Sequence, residues 1–373
     1  MARVLVVGGG IIGTMHAYLA IAAGHEVVQV DRDLIAQSAS VRNFGLVWVS
    51  GRAVGAELAL ALRSRQLWEL IGNEVGTIGF RPNGSLTIAS NAAEWEVMNR
   101  AAAMPDALQR GFELLTFEEV QKIEPALQGN FIGALLCSKD AAVEPELLLT
   151  GMRAYLEAAP SYQWIPNFEV VGYENTGSIH TISDINGQKL SGDFLALCAG
   201  AAHAGFLSEF LGDAPLRKVH LQMAATVPMP YTLKHSIADG DSLRYYPAFK
   251  DLGLHELAPQ REVADRYKMQ LLLVQRQDGS FTIGDTHEYA EPFTHEIYEE
   301  PYKHLQGVIS SIFGGGEPAI AKRWSGVYSQ VTSSEIYLRK EIAPGAVIIT
   351  GGGGRGNTLA PAIAEETMLS WKI

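Results

Sequence analysis

Hydrophobic positions follow two rhythms along this chain. An apolar run at residues 4–7 stops at Gly8, residues 11–23 carry apolar side chains at helical spacing up to Gly24, and 26–30 form a second apolar run ending at Asp31. The spacing predicts strand, helix, strand, with Gly24 closing the helix. Helical spacing returns over 54–72 (VGAELALALRSRQLWELIG), 93–104 and 117–123. From residue 162 shorter alternating or apolar runs take over, separated by turn residues. FEVVGYEN, SIHTISDINGQKL (with Asn-Gly at 186–187), DFLALCAG, VHLQMAATV, MQLLLVQRQDGSFTIGD and AVIIT are predicted strands. Pro- and charge-rich residues 247–268 are predicted to be a surface excursion between two of them. A βαβ opening followed by many strands predicts an α/β nucleotide domain interleaved with an antiparallel-sheet domain.

The length of 373 residues fits two domains, or one nucleotide domain with a large insertion. A net charge of −12 argues against nucleic acid or an anionic membrane as the main partner. An anionic small substrate would need locally placed Arg or Lys. Cys137 and Cys198, the two cysteines, suggest neither a disulfide framework nor a zinc site, and no metal site is expected. The start MARVLVVGGG lacks a charged lead-in, and no apolar stretch approaches the ~18 residues of a membrane span. The expectation is a cytoplasmic protein.

Gly8-x-Gly10-x-x-Gly13 lies between the first strand and helix, in VLVVGGGIIG, with Asp31 eighteen residues past Gly13. Gly8 suits a tight turn, Gly10 a close approach to pyrophosphate, and Gly13 the packing of helix on strand. The helix N-terminus at Ile11 and Ile12 would face the phosphates, and Asp31 would accept ribose hydroxyls. The acid argues against a 2′-phosphate and leaves NAD and FAD open. An NAD domain would usually continue into another strand–helix unit. DRDLIAQSASVRNFGLVW instead gives Ser38, Ser40, Arg42, Asn43, Phe44 and Gly45. A second glycine cluster, TGGGGRGNT at 350–358, precedes an apolar helical stretch near the other end of the chain.

With these segments in place the chain resembles the FAD-dependent oxidoreductases of the D-amino acid oxidase, glycine oxidase and sarcosine oxidase superfamily over nearly its whole length. The glycine motif with the Asp31–Arg32 pair matches, and SASVRNFG stands where that family has a Ser/Asn segment along the pyrophosphate. EVVGYE around Val170 resembles the strand that meets the adenine, and DFLALCAG, closing at Ala199 and Gly200, the second glycine-ended strand. RWSGVYS followed by VIITGGGGRGNTLAPAIAEE resembles the C-terminal flavin segment. The resemblance implies a Rossmann-like FAD-binding domain of the glutathione-reductase-2 type (1–80, 140–212 and 322–373) and a substrate-binding domain (81–139 and 213–321). It also implies that Gly353, Gly354, Arg355, Gly356, Asn357 and Thr358 lie against the flavin. Neither cysteine stands where monomeric sarcosine oxidases carry their flavin-linking cysteine, so FAD is expected without a covalent bond. SVRNFG, LQM, GDTHEY with Pro292-Phe293 following, and RWSGVY narrow the likeness to a subgroup associated with aminophosphonate breakdown.

The implied activity is oxidation of the C–N bond of a small anionic amine, with O₂ or another oxidant as acceptor. Substrate-cavity candidates are His287, Trp48, Tyr328 and one of Tyr245 and Tyr246, the other pointing to core or solvent. Arg52, Arg244, Arg276, Arg323 and Arg355 are candidates for an anion clamp, with Arg323 the best placed beside the flavin segment. Each has an ordinary structural or surface role as its alternative. Tyr328 stands where many amino-acid oxidases of the superfamily carry a carboxylate-binding Arg. The alternatives are a glycine, sarcosine or D-amino acid oxidase, and a non-catalytic flavin-carrying subunit of a hetero-oligomeric oxidase.

Overall fold

The opening folds as strand Arg3–Val7, helix Ile11–Ala22 and strand Glu26–Val30 in a computed structural model that describes residues 1–294 and 296–373. Val4, Leu5 and Val6 are fully buried, as expected for a strand covered on both faces. The six-stranded sheet runs Leu338–Ala343, Ala346–Thr350, Phe194–Gly200, Arg3–Val7, Glu26–Val30, Tyr162–Ile165. Every pairing is parallel except Leu338–Ala343 with Ala346–Thr350. Parallel strands share a carboxyl edge, so Gly8, Gly200 and Gly351 emerge side by side although far apart in sequence. That edge is where open α/β sheets bind ligands. Helix Gly356–Trp371 packs along Ile11–Ala22, and buried His16 joins them through Nε2 to Thr367 Oγ1 at 3.0 Å.

The eight-stranded sheet runs Ile320–Val331, Leu216–Thr226, Phe281–Gly284, Leu272–Gln275, Ser236–Ala238, Ser85–Ala89, Gly133–Cys137, Phe112–Thr116. It is antiparallel apart from Ser236–Ala238 with Ser85–Ala89. Strand Ile320–Val331 pairs along Leu216–Thr226 in this sheet, whereas the division drawn from the sequence groups residues from 322 onward with the dinucleotide part. Ser85–Ala89, Phe112–Thr116 and Gly133–Cys137 were not among the predicted strands. They lie between helical segments, and Ser85–Ala89 is buried at every position, so no alternation marks it. The stretch 247–268 is anchored rather than a loose surface excursion: it forms short helical turns, and Phe249, Leu257 and Ala264 are buried. Among the described residues no helix is long and apolar enough to cross a membrane.

Candidate active site

The first glycine turn is built by packing. A Cβ on Gly13 would fall on the Gly8 carbonyl oxygen and 3.3 Å from Val6 Cγ1. Over the start of helix Ile11–Ala22, Ser40 Oγ accepts from the Ile11 N–H at 3.0 Å, so the segment after Asp31 folds back onto the helix's positive end. Asn43 holds that segment: its Nδ2 donates to the Ala39 and Ser40 carbonyls, both at 2.9 Å, and its Oδ1 accepts from Gly45 N–H at 2.6 Å. Arg42 donates to the Gln37 and Ser325 carbonyls at 2.7 and 2.8 Å. Asp31 accepts from the Gly9 and Asp33 N–H groups, and its carbonyl accepts from Phe168 N–H at 2.9 Å. This contact brings the strand Val170–Asn175 close to the acid. Thr350 Oγ1 donates to the Gly200 carbonyl at 2.5 Å, tying the two glycine-ended strands. Ile11 is buried and Ile12 packs on the same core, while Arg32 and Ser38 are exposed.

A cavity of about 500 Å³ opens beside the second glycine segment. Its walls come from Asn43–Trp48, the Arg52 and Glu57 side chains, Gly354–Thr358, and the facing residues Tyr245, Tyr246, Gln270, Asp285 and His287. Gly351 turns the chain out of strand Ala346–Thr350 at φ +76°, where a Cβ would press on Leu216 and Val331 at 2.8 Å. Beyond it, helix Gly356–Trp371 starts at the cavity wall, which Asn357 and Thr358 line, with no side-chain cap on its first turn. Asn357 Nδ2 donates to the Leu46 carbonyl at 3.0 Å. Its Oδ1 and the Trp48 Nε1 are buried with no hydrogen-bond partner among the described residues. A planar heterocycle with both N–H and C=O edges fits this set of unpaired donors and acceptors.

The wall charges are uneven: five cations (Arg52, Arg217, Arg244, Lys268, Arg355) face three carboxylates (Glu57, Asp241, Asp285). Arg52 is 4% exposed. Its Nε donates to the Trp48 carbonyl at 2.7 Å, and it shares Glu57 Oε1 with Arg355, each at 3.6 Å. Burial lowers the Arg355 pKa and Glu57 partly restores it. Asp140 fixes the Trp48–Arg52 stretch from behind, accepting from Val49 and Ser50 N–H and from Ser85 Oγ. Tyr245 is hydrogen-bonded to Tyr328, and burial raises the pKa of both, so they are neutral phenols. Tyr245 also lies against His287, the two rings tilted with centroids 4.6 Å apart.

Of the residues singled out from the sequence, Trp48, Arg52, Arg244, Tyr246, His287 and Arg355 line the cavity, together with Asn43, Phe44, Gly354, Asn357 and Thr358. Both Tyr245 and Tyr246 do so, rather than one; the short helix Ser242–Tyr245 ends between them and breaks the alternation. Tyr328 lies just behind Tyr245. Arg323 is not brought to the cavity: it pairs with Glu299 at 2.9 Å, over the Tyr302 ring. Arg276 lies behind the wall, donating to Thr282 Oγ1 at 2.7 Å and to the Asn43 carbonyl at 3.3 Å. Burial lowers its pKa to about 10. Neither cysteine lines the cavity. Glu57, Arg217, Lys268, Gln270 and Asp285 were not anticipated. For Asp285 a signal existed, because GDTHEY places it two residues from His287, on the same side of an extended chain.

Residues 3–368 match the protein family described as DAO, FAD dependent oxidoreductase. One of the subunits of the opine oxidase of Rhizobium meliloti is 29% identical over 146 residues, a match that covers 36% of this chain and 39% of that protein. Among solved structures, L-proline dehydrogenase from P. horikoshii superposes with a TM-score of 0.80 at 19% identity, covering 100% of this chain and 93% of that one. Glycine oxidase from Geobacillus kaustophilus gives 0.78 at 18% identity, covering 100% and 95%. At such identities the likeness is one of fold. The family match, however, runs nearly from end to end, and the chain belongs to the DAO family of FAD-dependent oxidoreductases, with FAD as its cofactor.

Proposed function

We propose that this enzyme oxidises the C–N bond of a small anionic amine, with an aminophosphonate-like compound as substrate and FAD held without a covalent bond. The observation that carries the reading is the cavity wall, where Arg52 and Arg355 share one buried carboxylate beside neutral aromatic rings. Gly8–Gly13, Asp31, the 38–45 segment, Val170 and Ala199–Gly200 would hold the dinucleotide, and Gly353–Thr358 the ring system. Bound FAD supplies a two-electron acceptor for hydride from the carbon bearing nitrogen, after which water hydrolyses the imine. Turnover needs O₂ or another oxidant as co-substrate. Arg52, Arg355 and Arg244 would receive the substrate's anion, while Trp48, Tyr245 and Tyr246 limit its size and exclude water. Tyr328 brings a neutral phenol where the amino-acid oxidases it resembles carry an Arg. A phosphonate offers three oxygens to several donors, which a planar carboxylate cannot fully occupy.

The test is anaerobic bleaching of the yellow protein by glycine, sarcosine, D-alanine, 2-aminoethylphosphonate and its N-methyl and 1-hydroxy derivatives. One donor left unpaired costs roughly 1–3 kcal/mol, so aminophosphonates should lead in kcat/KM by about ten-fold or more. If any amino acid on the panel exceeds every aminophosphonate, the amino-acid oxidase reading replaces this one. A second reading draws on the Rhizobium meliloti relative, which is itself one subunit of an oxidase: the chain would work as one component of a hetero-oligomer. Bleaching of the isolated chain by none of these amines, and bleaching only with a co-purified partner, would favour it.

A further inference from the structure

The cavity has a second charged cluster, separated from Arg52 by the Tyr245 and Tyr246 rings, and its assignment rests on the amine reading above. Asp285 and His287 follow strand Phe281–Gly284 and both line the cavity. They are 8% and 5% exposed, and Asp285 Oδ2 lies 3.7 Å from His287 Nε2. His287 Nδ1 sits 2.8 Å from the Lys268 carbonyl oxygen. A carbonyl can only accept, so Nδ1 carries a proton and Nε2 is the ring nitrogen that faces Asp285. Asp285 Oδ1 accepts from Gln270 Nε2 at 3.2 Å. Among the described residues His287 is its one ionic neighbour within 4.0 Å. A buried carboxylate with no permanent cation is costly, and a cation entering the cavity would offset that cost.

The two ends are held apart by aromatic rings. Tyr245 lies between His287, at 4.6 Å, and Tyr246, at 5.1 Å between ring centroids, and the Arg52 guanidinium stands 6.0 Å from the Tyr246 ring. Arg52 beyond one ring and Asp285 with His287 beyond the other match a zwitterion whose anion and ammonium lie a few bonds apart. We infer that Asp285, with His287 Nε2 beside it, receives the substrate's ammonium group, and that the Asp285 carboxylate takes one of its protons before hydride departs. In this step one N–H bond breaks, its electron pair stays on nitrogen, and one O–H bond forms on Asp285. No oxidant is consumed.

Burial holds the Asp285 carboxyl above the usual carboxylate range, with His287 drawing it back, which brings it nearer the value a proton acceptor needs at neutral pH. Tyr245, Tyr289 and Tyr328 also face it and are themselves shifted upward. The Lys268 ammonium pairs with Asp265 at 2.9 Å, and Arg217 stacks over Tyr289 at 4.1 Å.

The experiment uses the FAD-loaded enzyme and the fastest amine of the panel. Anaerobic reduction is followed from pH 6 to 10 for wild type, Asp285→Asn, Asp285→Glu and His287→Gln. Ethylphosphonate and propionate, anions without nitrogen, are titrated by the change in flavin absorbance. Asp285→Asn should be reduced about 100-fold more slowly at neutral pH. Its rate should climb toward wild type only as the pH nears the amine's own pKa of ~10. Asp285→Glu should recover part of the rate, and both nitrogen-free anions should bind as to wild type. A wild-type rate and pH profile for Asp285→Asn, or equal loss of amine and nitrogen-free anion, overturns the assignment and leaves the amine reading standing. If Asp285→Asn does not retain flavin, His287→Gln decides, by a ten-fold weaker amine with unchanged anions or by no difference. Failure of every amine to bleach the wild type removes both readings.

Discussion

At Gly13 an added Cβ would strike the Gly8 carbonyl and approach Val6 Cγ1 to 3.3 Å, whereas at Gly354 it would meet nothing closer than the Tyr245 and Tyr328 hydroxyls, each 3.9 Å away. The first glycine is demanded by the fold, which cannot pack helix on strand without it. At the second the fold itself leaves room for a side chain. The polar atoms divide in the same way. Around the first turn Asp31, Ser40 and Asn43 hydrogen-bond within the protein. Around the cavity Trp48 Nε1 and Asn357 Oδ1 are buried without hydrogen-bond partners among the described residues. One region completes itself by folding, and the other leaves donors and acceptors for ligands.

The sharpest way to break this contrast is to fill both glycines. Gly13→Leu should yield no folded, yellow protein, because the helix cannot close on the strand. Gly354→Leu should melt close to wild type yet purify colourless, its side chain entering the cavity from the glycine segment. Flavin-to-protein absorbance ratios with circular-dichroism melts decide it, and a yellow, active Gly354→Leu protein would show that the second segment serves another purpose. The next largest effect is expected at the shared carboxylate. Arg52→Met leaves Glu57 with Arg355 alone, and losing one partner of a desolvated ion contact costs about 2–5 kcal/mol. On that basis kcat/KM for the anionic amine should fall by roughly 10²–10³-fold. Arg323→Met, which removes the partly exposed pair with Glu299 and the contact over the Tyr302 ring, both away from the cavity, should change it less than about five-fold. Equal losses in the two variants would mean that the cavity arginines do not face the substrate.

The smallest effect concerns stability. Asp239 sits just before the short helix that carries Tyr245, and burial, reinforced by Asp241 and Glu94, raises its pKa to about 8. Its pKa in the unfolded chain is ~3.9, so folding favours the protonated form. The stabilisation is complete below pH ~4 and is lost progressively until the pH passes the folded value. Asp239→Asn should therefore raise Tm by about 2–4 °C at pH 9, where the buried charge is otherwise present, and hardly at all at pH 4. Calorimetry at the two pH values checks this; an equal gain at both would place the effect in packing rather than ionisation.

Much of the dinucleotide side was legible because its chemistry is local. The turn at Gly8, the helix start at Ile11 and the acid at Asp31 come from one run of about thirty residues, and period and glycine spacing suffice to read it. The cavity was only half legible. Trp48, Arg52, Tyr246, His287 and Arg355 could be named as candidates, yet Arg323 drew attention as the first residue of RWSGVY, beside the flavin segment, and proved to pair with Glu299 instead. Adjacency in sequence does not give the side of a sheet on which a long side chain ends. Glu57, at the start of an ordinary amphipathic helix, carries no mark of its place between two arginines.

The sequence by itself determined the opening strand–helix–strand unit, the dinucleotide class of the cofactor and the two glycine segments, since hydrophobic period and backbone freedom are properties of short stretches. Tertiary structure alone decided that residues 8, 200 and 351 share one edge, because parallel pairing joins strands more than a hundred residues apart. It alone set Arg52 and Arg355 against Glu57, and Asp285 against His287. Charges act through distance in space, and that distance follows from how the sheets and helices pack, not from positions along the chain.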